Sequence, residues 1–301
     1  MSNSANGCLS HHKPRIVFIL GLLLVCQAAL FAAERPFEFF VFDNGVGRRQ
    51  WAPEKQAATL QALGYDGISY NFTTKEALAH WQRAFRDRGL KIYGIYVHTW
   101  VDGPPKYQSE LWDAMEILKG SNTAIWLTVQ SRNGVTSGLD QEAVENVREV
   151  ADKAAAAGLR VVLYPHVNFY VETAEDALRI FKQADRDNVR ISFNLCHELM
   201  KGYADRLDEI IEKTAPYLDL VSINGADVPS RRFIQRLDQG SLDVAGVMKK
   251  LKSEGYTGPV GLQMVGIEGD IEENLSASIA AWRSIYQEVM QKPADAANGS
   301  Q

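Results

Sequence analysis

Short apolar runs alternate with longer segments of mixed polarity along most of the chain. Each run is rich in β-branched and aromatic residues and is bounded by turn or polar residues, which is typical of a buried β-strand. The first run, for example, ends in Asp43-Asn44-Gly45, which predicts a turn. The eight predicted strands are Phe37–Phe42, Tyr65–Tyr70, Lys91–Val97, Ala124–Val129, Val161–Leu163, Val189–Phe193, Leu218–Ile223 and Val260–Met264.

The segments between these runs carry apolar residues at the three- and four-residue spacing of amphipathic helices. The clearest case has Thr173 as a potential N-cap, Glu175 and Asp176 in the first turn, and apolar residues on one face from 177 to 181. The other predicted helices begin near Pro53, Thr74, Leu111, Asp140, Ala204, Asp243 and Asp270.

The alternation of strands and helices predicts a parallel sheet, because a helical crossover returns the chain in the same direction. Four helices end in a glycine that is followed closely by the next strand, as expected for a left-handed C′ residue. These are Gly64, Gly89, Gly158 and Gly255. Eight such units over about 250 residues predict a single (β/α)8 barrel. A doubly wound open sheet is the alternative, but no G-x-G-x-x-G turn follows the first strand.

The N-terminal segment has the features of a secretory signal peptide. Lys13 and Arg15 precede an apolar run over residues 16–31, and Ala32-Ala33 offers a cleavage site. We therefore expect residues 1–33 to be a signal peptide, with an uncleaved membrane anchor as the alternative. The protein is then exported, to the periplasm or outside the cell. Residues 37–290 form the barrel, and residues 291–301 are expected to be a disordered tail.

Composition and charge narrow the choice of partners. The chain is 46% hydrophobic with a net charge of −5, and it has no dense block of Lys or Arg. These values are ordinary for a globular protein and argue against a nucleic-acid partner. Cleavage of the signal peptide leaves Cys196 alone, so no internal disulfide is expected. Cys196 precedes His197, but neighbouring residues of a strand point to opposite faces, which argues against a thiol nucleophile there.

Polar and aromatic side chains follow the predicted strands at their carboxyl ends. Parallel barrels bind their ligands at this end, so these side chains are candidates for a common site. They are His98 and Trp100 after the third strand, Tyr164 and His166 after the fifth, Asn194 and His197 after the sixth, Asn224 and Asp227 after the seventh, and Gln263 at the eighth.

Three motifs resemble those of xylose isomerase-like barrels, the sugar phosphate isomerase/epimerase superfamily. They are Leu63-Gly64-Tyr65-Asp66-Gly67-Ile68, the segment Ile191–His197, and Gly255-Tyr256-Thr257-Gly258-Pro259-Val260-Gly261-Leu262. The resemblance implies a divalent metal held by a Glu after strand five, an Asp after strand six, a His after strand seven and a Glu after strand eight. In such proteins the metal polarises a ketose carbonyl, and the two glutamates move a proton between neighbouring carbons.

This chain departs from the family pattern at every metal-ligand position. The corresponding residues are Tyr164, Asn194, Ser222 or Asn224, and Gln263. Hard cations such as Mg²⁺ and Mn²⁺ prefer carboxylates, and an amide cannot act as a base. We therefore predict no cofactor. A site for Mn, Mg or Zn is the alternative if a shift of one or two residues brings Glu198 or Asp227 into place.

We expect an exported carbohydrate-active protein that resembles sugar isomerases and epimerases and transfers a proton next to a sugar carbonyl. His166, His197, Asp227 and Tyr164 are the candidate catalytic residues. The candidate substrate-binding residues are His98, Trp100, Asn194, Asn224 and Gln263. Keto-sugar elimination of the lyase type, or a non-catalytic carbohydrate-binding barrel, are the alternatives. The expected partner is a small carbohydrate, with no membrane contact beyond the N-terminal segment and no prediction of oligomeric state.

Overall fold

The computed structural model describes residues 35–134 and 137–291. The predicted signal peptide, and the predicted tail apart from Gln291, lie outside the described residues. The described residues from Phe37 to Gln291 form one compact unit. Over the described ranges, no helix combines the length and the apolar character needed to cross a membrane.

The central feature is a closed parallel barrel, as predicted. Eight strands pair in the order β1-β2-β3-β4-β5-β6-β7-β10, and β10 pairs with β1 to close the ring. Their bounds are β1 Phe39–Phe42, β2 Gly67–Asn71, β3 Lys91–Trp100, β4 Ala124–Gln130, β5 Val161–Leu163, β6 Val189–Asn194, β7 Leu218–Ile223 and β10 Val260–Leu262. A separate antiparallel hairpin follows β7 and consists of β8 Gly225–Asp227 and β9 Arg232–Gln235.

Helices connect the barrel strands. They are α1 Pro53–Leu63, α2 Lys75–Arg86, α3 Leu111–Leu118, α4 Asp140–Ala156, α5 Ala174–Ala184, α6 Leu195–Met200, α7 Leu207–Thr214, α8 Val244–Ser253 and α9 Ile271–Met290. The predicted cap of α5 is confirmed, since Thr173 and Asp176 form a reciprocal capping box. Gly64 has a φ of 86° at the end of α1, which confirms the left-handed turn predicted there.

Two elements differ from the sequence-based expectation. Residues 195–200 form the short helix α6 directly after β6, so His197 lies on a helix and does not extend the strand. Between the seventh predicted strand and the helix predicted from Asp243, where no strand is expected, the chain forms β8 and β9 of a hairpin. Cys196 on α6 is fully buried, and burial raises the pKa of its thiol to about 12, so it stays a protonated thiol rather than a nucleophile.

The interior of the barrel is filled by aromatic side chains. Phe40, Phe42 and Trp126 are buried together with Tyr164, and the indole N–H of Trp126 donates to Ser192 Oγ at 3.0 Å. This packing closes the barrel below its carboxyl end, as expected for a barrel whose interior is a core and not a pore. Any ligand site on the barrel axis is therefore confined to the mouth.

Candidate active site

A cavity opens at the carboxyl ends of the strands. Its space, including the part that is open to solvent, is about 550 Å³. Residues that end or follow β1, β2, β5, β6 and β10 line it, together with Tyr96 of β3. Of the candidates from the sequence, Tyr164, His166, His197 and Gln263 line the cavity.

Tyr164 forms part of the cavity floor. Its ring meets those of Tyr96 and Trp126 edge-on, each with a centroid separation of 4.8 Å. Complete burial raises the pKa of Tyr164 well above its ordinary value, although a hydrogen bond from Gln263 opposes the shift. This shift argues against Tyr164 as a catalytic acid, because that role would need a depressed pKa. Its phenol remains protonated and can donate a hydrogen bond to a ligand.

His166 and His197 lie side by side, with ring centroids 4.1 Å apart. His166 Nδ1 lies 2.7 Å from the carbonyl oxygen of Val167, which can only accept, so Nδ1 carries the proton and Nε2 keeps its lone pair. Neither ring nitrogen of His197 has a hydrogen-bond partner among the described residues. Burial lowers the pKa of both side chains, so both rings are neutral near pH 7.

Gln263 is oriented by three hydrogen bonds to one oxygen. Its Oε1 accepts from Asn44 Nδ2 at 2.6 Å and from the backbone N–H groups of Met264 and Val265 at 3.0 and 3.1 Å. Since the oxygen is fully used, the amide nitrogen is the group that donates to Tyr164. Gln263 and Tyr164 thus form a pair of fixed donors at the cavity floor.

Asp43 and Arg48 also line the cavity, although the sequence did not identify them as site residues. Asp43 is 2% exposed, pairs with the Arg48 guanidinium, and accepts from the Asn71 N–H at 3.2 Å. Burial raises the pKa of Asp43 even though Arg48 opposes the shift. The segment Asp43-Asn44-Gly45 resembles an ordinary turn, but its place at a strand's carboxyl end was a usable signal.

Asn194 and Asn224, which are predicted to bind substrate, lie outside the cavity lining. Asn194 is fully buried, where its amide donates to the Pro165 carbonyl at 2.8 Å and accepts from Ser222 Oγ at 3.0 Å. It joins the ends of β5, β6 and β7. Asn224 donates to the Phe233 carbonyl at 2.7 Å and so holds the β8–β9 hairpin. Both amides serve the fold, and neither side chain contributes to the cavity lining.

Asp227 is likewise a hairpin residue and does not face the cavity. Its carboxylate accepts from the hydroxyl groups of Ser230 and Ser241, and these bonds lower its pKa. A carboxylate that is held in this way is a poor base. The prediction that Asp227 acts as the catalytic base is not supported by this placement.

His98 and Trp100 lie on β3 beside the cavity and not in its lining. His98 Nδ1 is 2.7 Å from Gln130 Nε2, and burial lowers the pKa of this histidine to about 4. Its ring meets Tyr96 edge-on at 5.1 Å, so it supports a residue of the cavity wall. The guanidinium of Arg132 covers the Trp100 ring at 4.7 Å. A direct contact of either residue with substrate remains a prediction.

The residues at the family's metal-ligand positions do not fit a divalent metal. None is a carboxylate or an imidazole, which are the ligands that offset the charge of such an ion. The amide oxygens of Asn194 and Gln263 already accept hydrogen bonds from Ser222 and Asn44, whereas Asn224 Oδ1 is buried without a partner among the described residues. Within residues 35–134 and 137–291, no group of three or more His, Cys, Asp or Glu side chains is arranged to hold a metal ion. The alternative ligand Glu198 points elsewhere, since its Oε1 accepts from the Ala174 N–H at 2.7 Å.

Comparison with known proteins gives consistent results. Residues 57–285 match the family described as the xylose isomerase-like TIM barrel. The chain is 26% identical over 187 residues to the D-psicose 3-epimerase of Ruminiclostridium cellulolyticum, a match that covers 60% of this chain and 59% of that enzyme.

Solved structures show the same fold at lower sequence identity. The D-allulose 3-epimerase of Methylomonas sp. superimposes with a TM-score of 0.66 at 16% identity, over 83% of this chain and 98% of that one. The 3-keto-D-glucoside 4-epimerase of E. coli superimposes with a TM-score of 0.65 at 16% identity, over 82% of this chain and 99% of that one.

Proposed function

The chain belongs to the xylose isomerase-like TIM barrel family, and from this premise we propose that it is a sugar isomerase/epimerase-like enzyme. In this proposal the substrate is a small carbohydrate with a ketone or aldehyde carbonyl. The reaction removes a proton from the carbon next to that carbonyl and returns a proton to the sugar. The partial match to a D-psicose 3-epimerase supports the choice of substrate class.

The observation that supports the proposal most directly is a neutral histidine, able to act as a base, beside two hydrogen-bond donors with fixed positions. His166 Nε2 has a lone pair because its Nδ1 proton is bound to the Val167 carbonyl. Tyr164 and Gln263 offer donors to a carbonyl oxygen, and such donors stabilise the negative charge that develops on that oxygen after proton removal. The unpartnered nitrogens of His197 can bind a sugar hydroxyl beside it.

We further propose that this chemistry proceeds without the divalent metal of the family. The support is the residue types at the ligand positions, because none is a carboxylate or an imidazole and the amide oxygens of Asn194 and Gln263 already accept internal hydrogen bonds. In place of an ion, the site presents Tyr164, Gln263 and the guanidinium of Arg48. The Nε of Arg48 and the Oδ1 of Asn44 are buried without hydrogen-bond partners in the described part of the chain, which suits a polyhydroxylated ligand.

The test is solvent exchange followed by proton NMR. The protein is incubated in D₂O with D-fructose, D-allulose or methyl 3-keto-D-glucoside, and the carbon-bound protons next to the carbonyl are followed. We expect exchange with at least one of these sugars, and a rate that falls by about 100-fold or more in His166→Ala for the sugar from which His166 removes the proton. His197→Ala is expected to weaken binding more than exchange.

His80→Ala is the matched control for these variants. His80 lies on α2, is exposed, and bonds to Glu54 at 2.5 Å, so its loss removes a histidine outside the cavity. The control is expected to retain the wild-type rate. Binding of a sugar without any exchange in the wild-type protein would contradict an enzymatic role and support a carbohydrate-binding barrel instead.

Export remains part of the proposal, supported by the N-terminal sequence. The charged residues Lys13 and Arg15 and the apolar run after them are typical of a signal peptide. Expression of the full chain is expected to give a periplasmic or secreted product whose N-terminus follows Ala32 or Ala33. A cytoplasmic product that retains residues 1–33 would contradict export, and a membrane-bound product that retains them would indicate an anchor.

A further inference from the structure

The proposed function leaves one buried acid of the cavity without a role. Asp43 directly follows β1, and His166 lies shortly after β5. In the barrel order, β1 and β5 are separated by four steps in either direction, so they lie opposite each other in the ring. Both side chains line the same cavity. The mouth of the barrel therefore has an acid on one wall and an imidazole on the opposite wall.

The donors at the floor lie between these walls. Gln263 follows β10, the neighbour of β1, and its amide reaches Tyr164 on the β5 side. Phe42, the residue before Asp43, meets the Tyr164 ring edge-on at a centroid distance of 6.3 Å. A carbonyl oxygen that accepts from Gln263 and Tyr164 would bring its neighbouring carbon into the cavity that Asp43 and His166 both line.

We propose that Asp43 is a second proton-transferring residue, which acts on the face of the sugar opposite to His166. This inference rests on the proposed function and specifies it: the reaction is inversion at the carbon next to the carbonyl. Groups on two opposite faces suit epimerisation, whereas an aldose–ketose isomerisation needs proton transfer on one face only.

The step balances without a further reactant. His166 Nε2 takes the proton from carbon, the C–H electron pair forms a C=C bond, and the carbonyl becomes an enediolate oxygen that Tyr164 and Gln263 stabilise. Asp43 in its acid form then protonates the opposite face, and the carbonyl forms again. Solvent removes the proton from His166 and restores the proton of Asp43. The reverse reaction starts with the Asp43 carboxylate as base.

The surroundings of Asp43 allow both of its protonation states. Arg48 pairs with the carboxylate, while enclosure at 2% exposure disfavours the charge. A structural ion pair is the competing explanation for Asp43, because this pair also joins the β1 loop to Asn71 of β2. The two explanations differ in what they predict for isotope exchange.

The experiment uses Asp43→Asn and His166→Gln in D₂O with D-fructose and D-allulose, which are epimers at carbon 3. The wild-type protein is expected to give product with solvent deuterium at that carbon while the remaining substrate is still protiated. Each variant should lose epimerisation by about 100-fold or more, since one of the two proton transfers is missing. Each variant should still exchange the carbon 3 proton of one of the two ketoses with solvent. That ketose should be D-fructose for one variant and D-allulose for the other.

The control is Asp219→Asn, which breaks a partly exposed aspartate–arginine ion pair at the other end of the barrel. Asp219 lies at the start of β7 and pairs with Arg160 at 2.8 Å. This variant is expected to keep epimerisation within about twofold. If Asp43→Asn does not fold, the double variant Asp43→Asn with Arg48→Met removes the unpaired charge, and comparison with Arg48→Met alone separates the loss of Asp43 from the loss of the Arg48 contact.

Three results would contradict the proposal in distinguishable ways. Epimerisation that persists in a folded Asp43 variant would overturn the role of Asp43. Loss of exchange from both ketoses, in a variant that remains folded, would show a structural role. Absence of exchange with either ketose in the wild-type protein would overturn epimerisation of these sugars by the cavity, and the role of Asp43 with it.

Discussion

At the scale of single residues, Glu198 shows how an acid beside a candidate histidine can serve the fold. It is fully buried, and its Oε1 accepts from the N–H of Ala174 at the start of α5. Its Oε2 has no hydrogen-bond partner in the part of the chain that the structure describes. Burial raises the pKa of Glu198 to about 7. Glu198 is therefore uncharged over much of the range below neutrality.

This placement predicts a pH dependence of stability. The pKa of Glu198 in the folded state lies above the ordinary value of a glutamate, so the folded state favours its protonated form. The stability that this preference contributes is fully present below about pH 4.5 and is lost as pH rises through about 7. The difference amounts to about 3 kcal/mol in the free energy of unfolding. We expect urea denaturation between about pH 5 and pH 8 to show this loss in the wild-type protein and a flatter profile in Glu198→Gln.

The matched control is Glu272→Gln, which replaces an exposed glutamate at the start of α9. Its pH profile should follow that of the wild-type protein. Parallel profiles for Glu198→Gln and the wild-type protein would show that Glu198 does not titrate in this range.

Single residues also show where prediction from the sequence stops. Tyr164, Asn194 and Gln263 were placed correctly at the ends of their strands, because the apolar runs define those ends. Their hydrogen-bond partners were not predictable, since they come from distant parts of the chain. The Asn194 side chain is hydrogen-bonded to Pro165 and Ser222, whereas the amide N–H groups of Gln263 remain at the cavity floor as donors. The same polar character thus gives a structural residue in one place and a site residue in the other.

At the scale of elements, the β8–β9 hairpin determines the role of Asp227. Its carboxylate joins the turn at Ser230 to Ser241 beyond the hairpin. We expect Asp227→Asn to lower the thermal midpoint while sugar exchange stays within about twofold of wild type. Calorimetry and the D₂O assay measure the two effects. A folded variant with unchanged stability and no exchange would restore Asp227 as a catalytic base.

An ion pair connects the two elements that carry the histidines. Glu172, in the loop after β5, accepts from Lys201 Nζ at 2.8 Å and from the Asn168 N–H at 2.9 Å. Lys201 directly follows α6, which carries His197. We expect Lys201→Met to lower kcat by about tenfold with a smaller change in KM, because His166 loses its alignment while the donors Tyr164 and Gln263 remain in place.

The control for this pair is Lys213→Met on α7, which breaks exposed ion pairs to Glu175 and Glu209. Its kinetic constants should match those of the wild-type protein. Equal effects of the two lysine variants would argue against a positioning role for Lys201.

The helices that could be predicted are those with strong local signals in the sequence. Helix α5 has a capping box and a clear apolar face, and its start at Thr173 was predicted correctly. Helix α6 begins directly after Asn194 with no turn residue between, so the apolar run through Phe193 and Leu195 resembles a continuing strand. Its helical form depends on packing against β7 and β9, which is tertiary information.

At the scale of the whole molecule, closure of the ring brings β1 beside β10 and positions Asp43 near Gln263. Phe39 of β1 stacks on Trp282 of α9 with a centroid distance of 4.3 Å, so the last helix packs over this closure. Trp282 is buried, and we expect Trp282→Ala to cost about 3–5 kcal/mol in the free energy of unfolding. Urea denaturation measures this loss, and the partly buried Trp112 of α3 provides a control with a smaller expected effect.

Whole-molecule architecture was the part most accessible from the sequence. Eight alternations of strand and helix specify a closed barrel, because the pattern repeats and each repeat adds independent support. The chemistry of the mouth was less accessible. The family resemblance locates the metal-ligand positions, which are occupied here by Tyr164, Asn194 and Gln263. The roles of these residues depend on hydrogen bonds to distant parts of the barrel, which the sequence does not show.

The central claim is that a sugar-handling barrel transfers protons through neutral and buried side chains without a metal. The most direct measurement is proton exchange from D-allulose in D₂O by wild-type protein, first treated with EDTA and then supplied with Mn²⁺. We predict the same exchange rate in both conditions, because Tyr164 and Gln263 bind the carbonyl oxygen themselves. Exchange that disappears with EDTA and returns with Mn²⁺ would contradict this account.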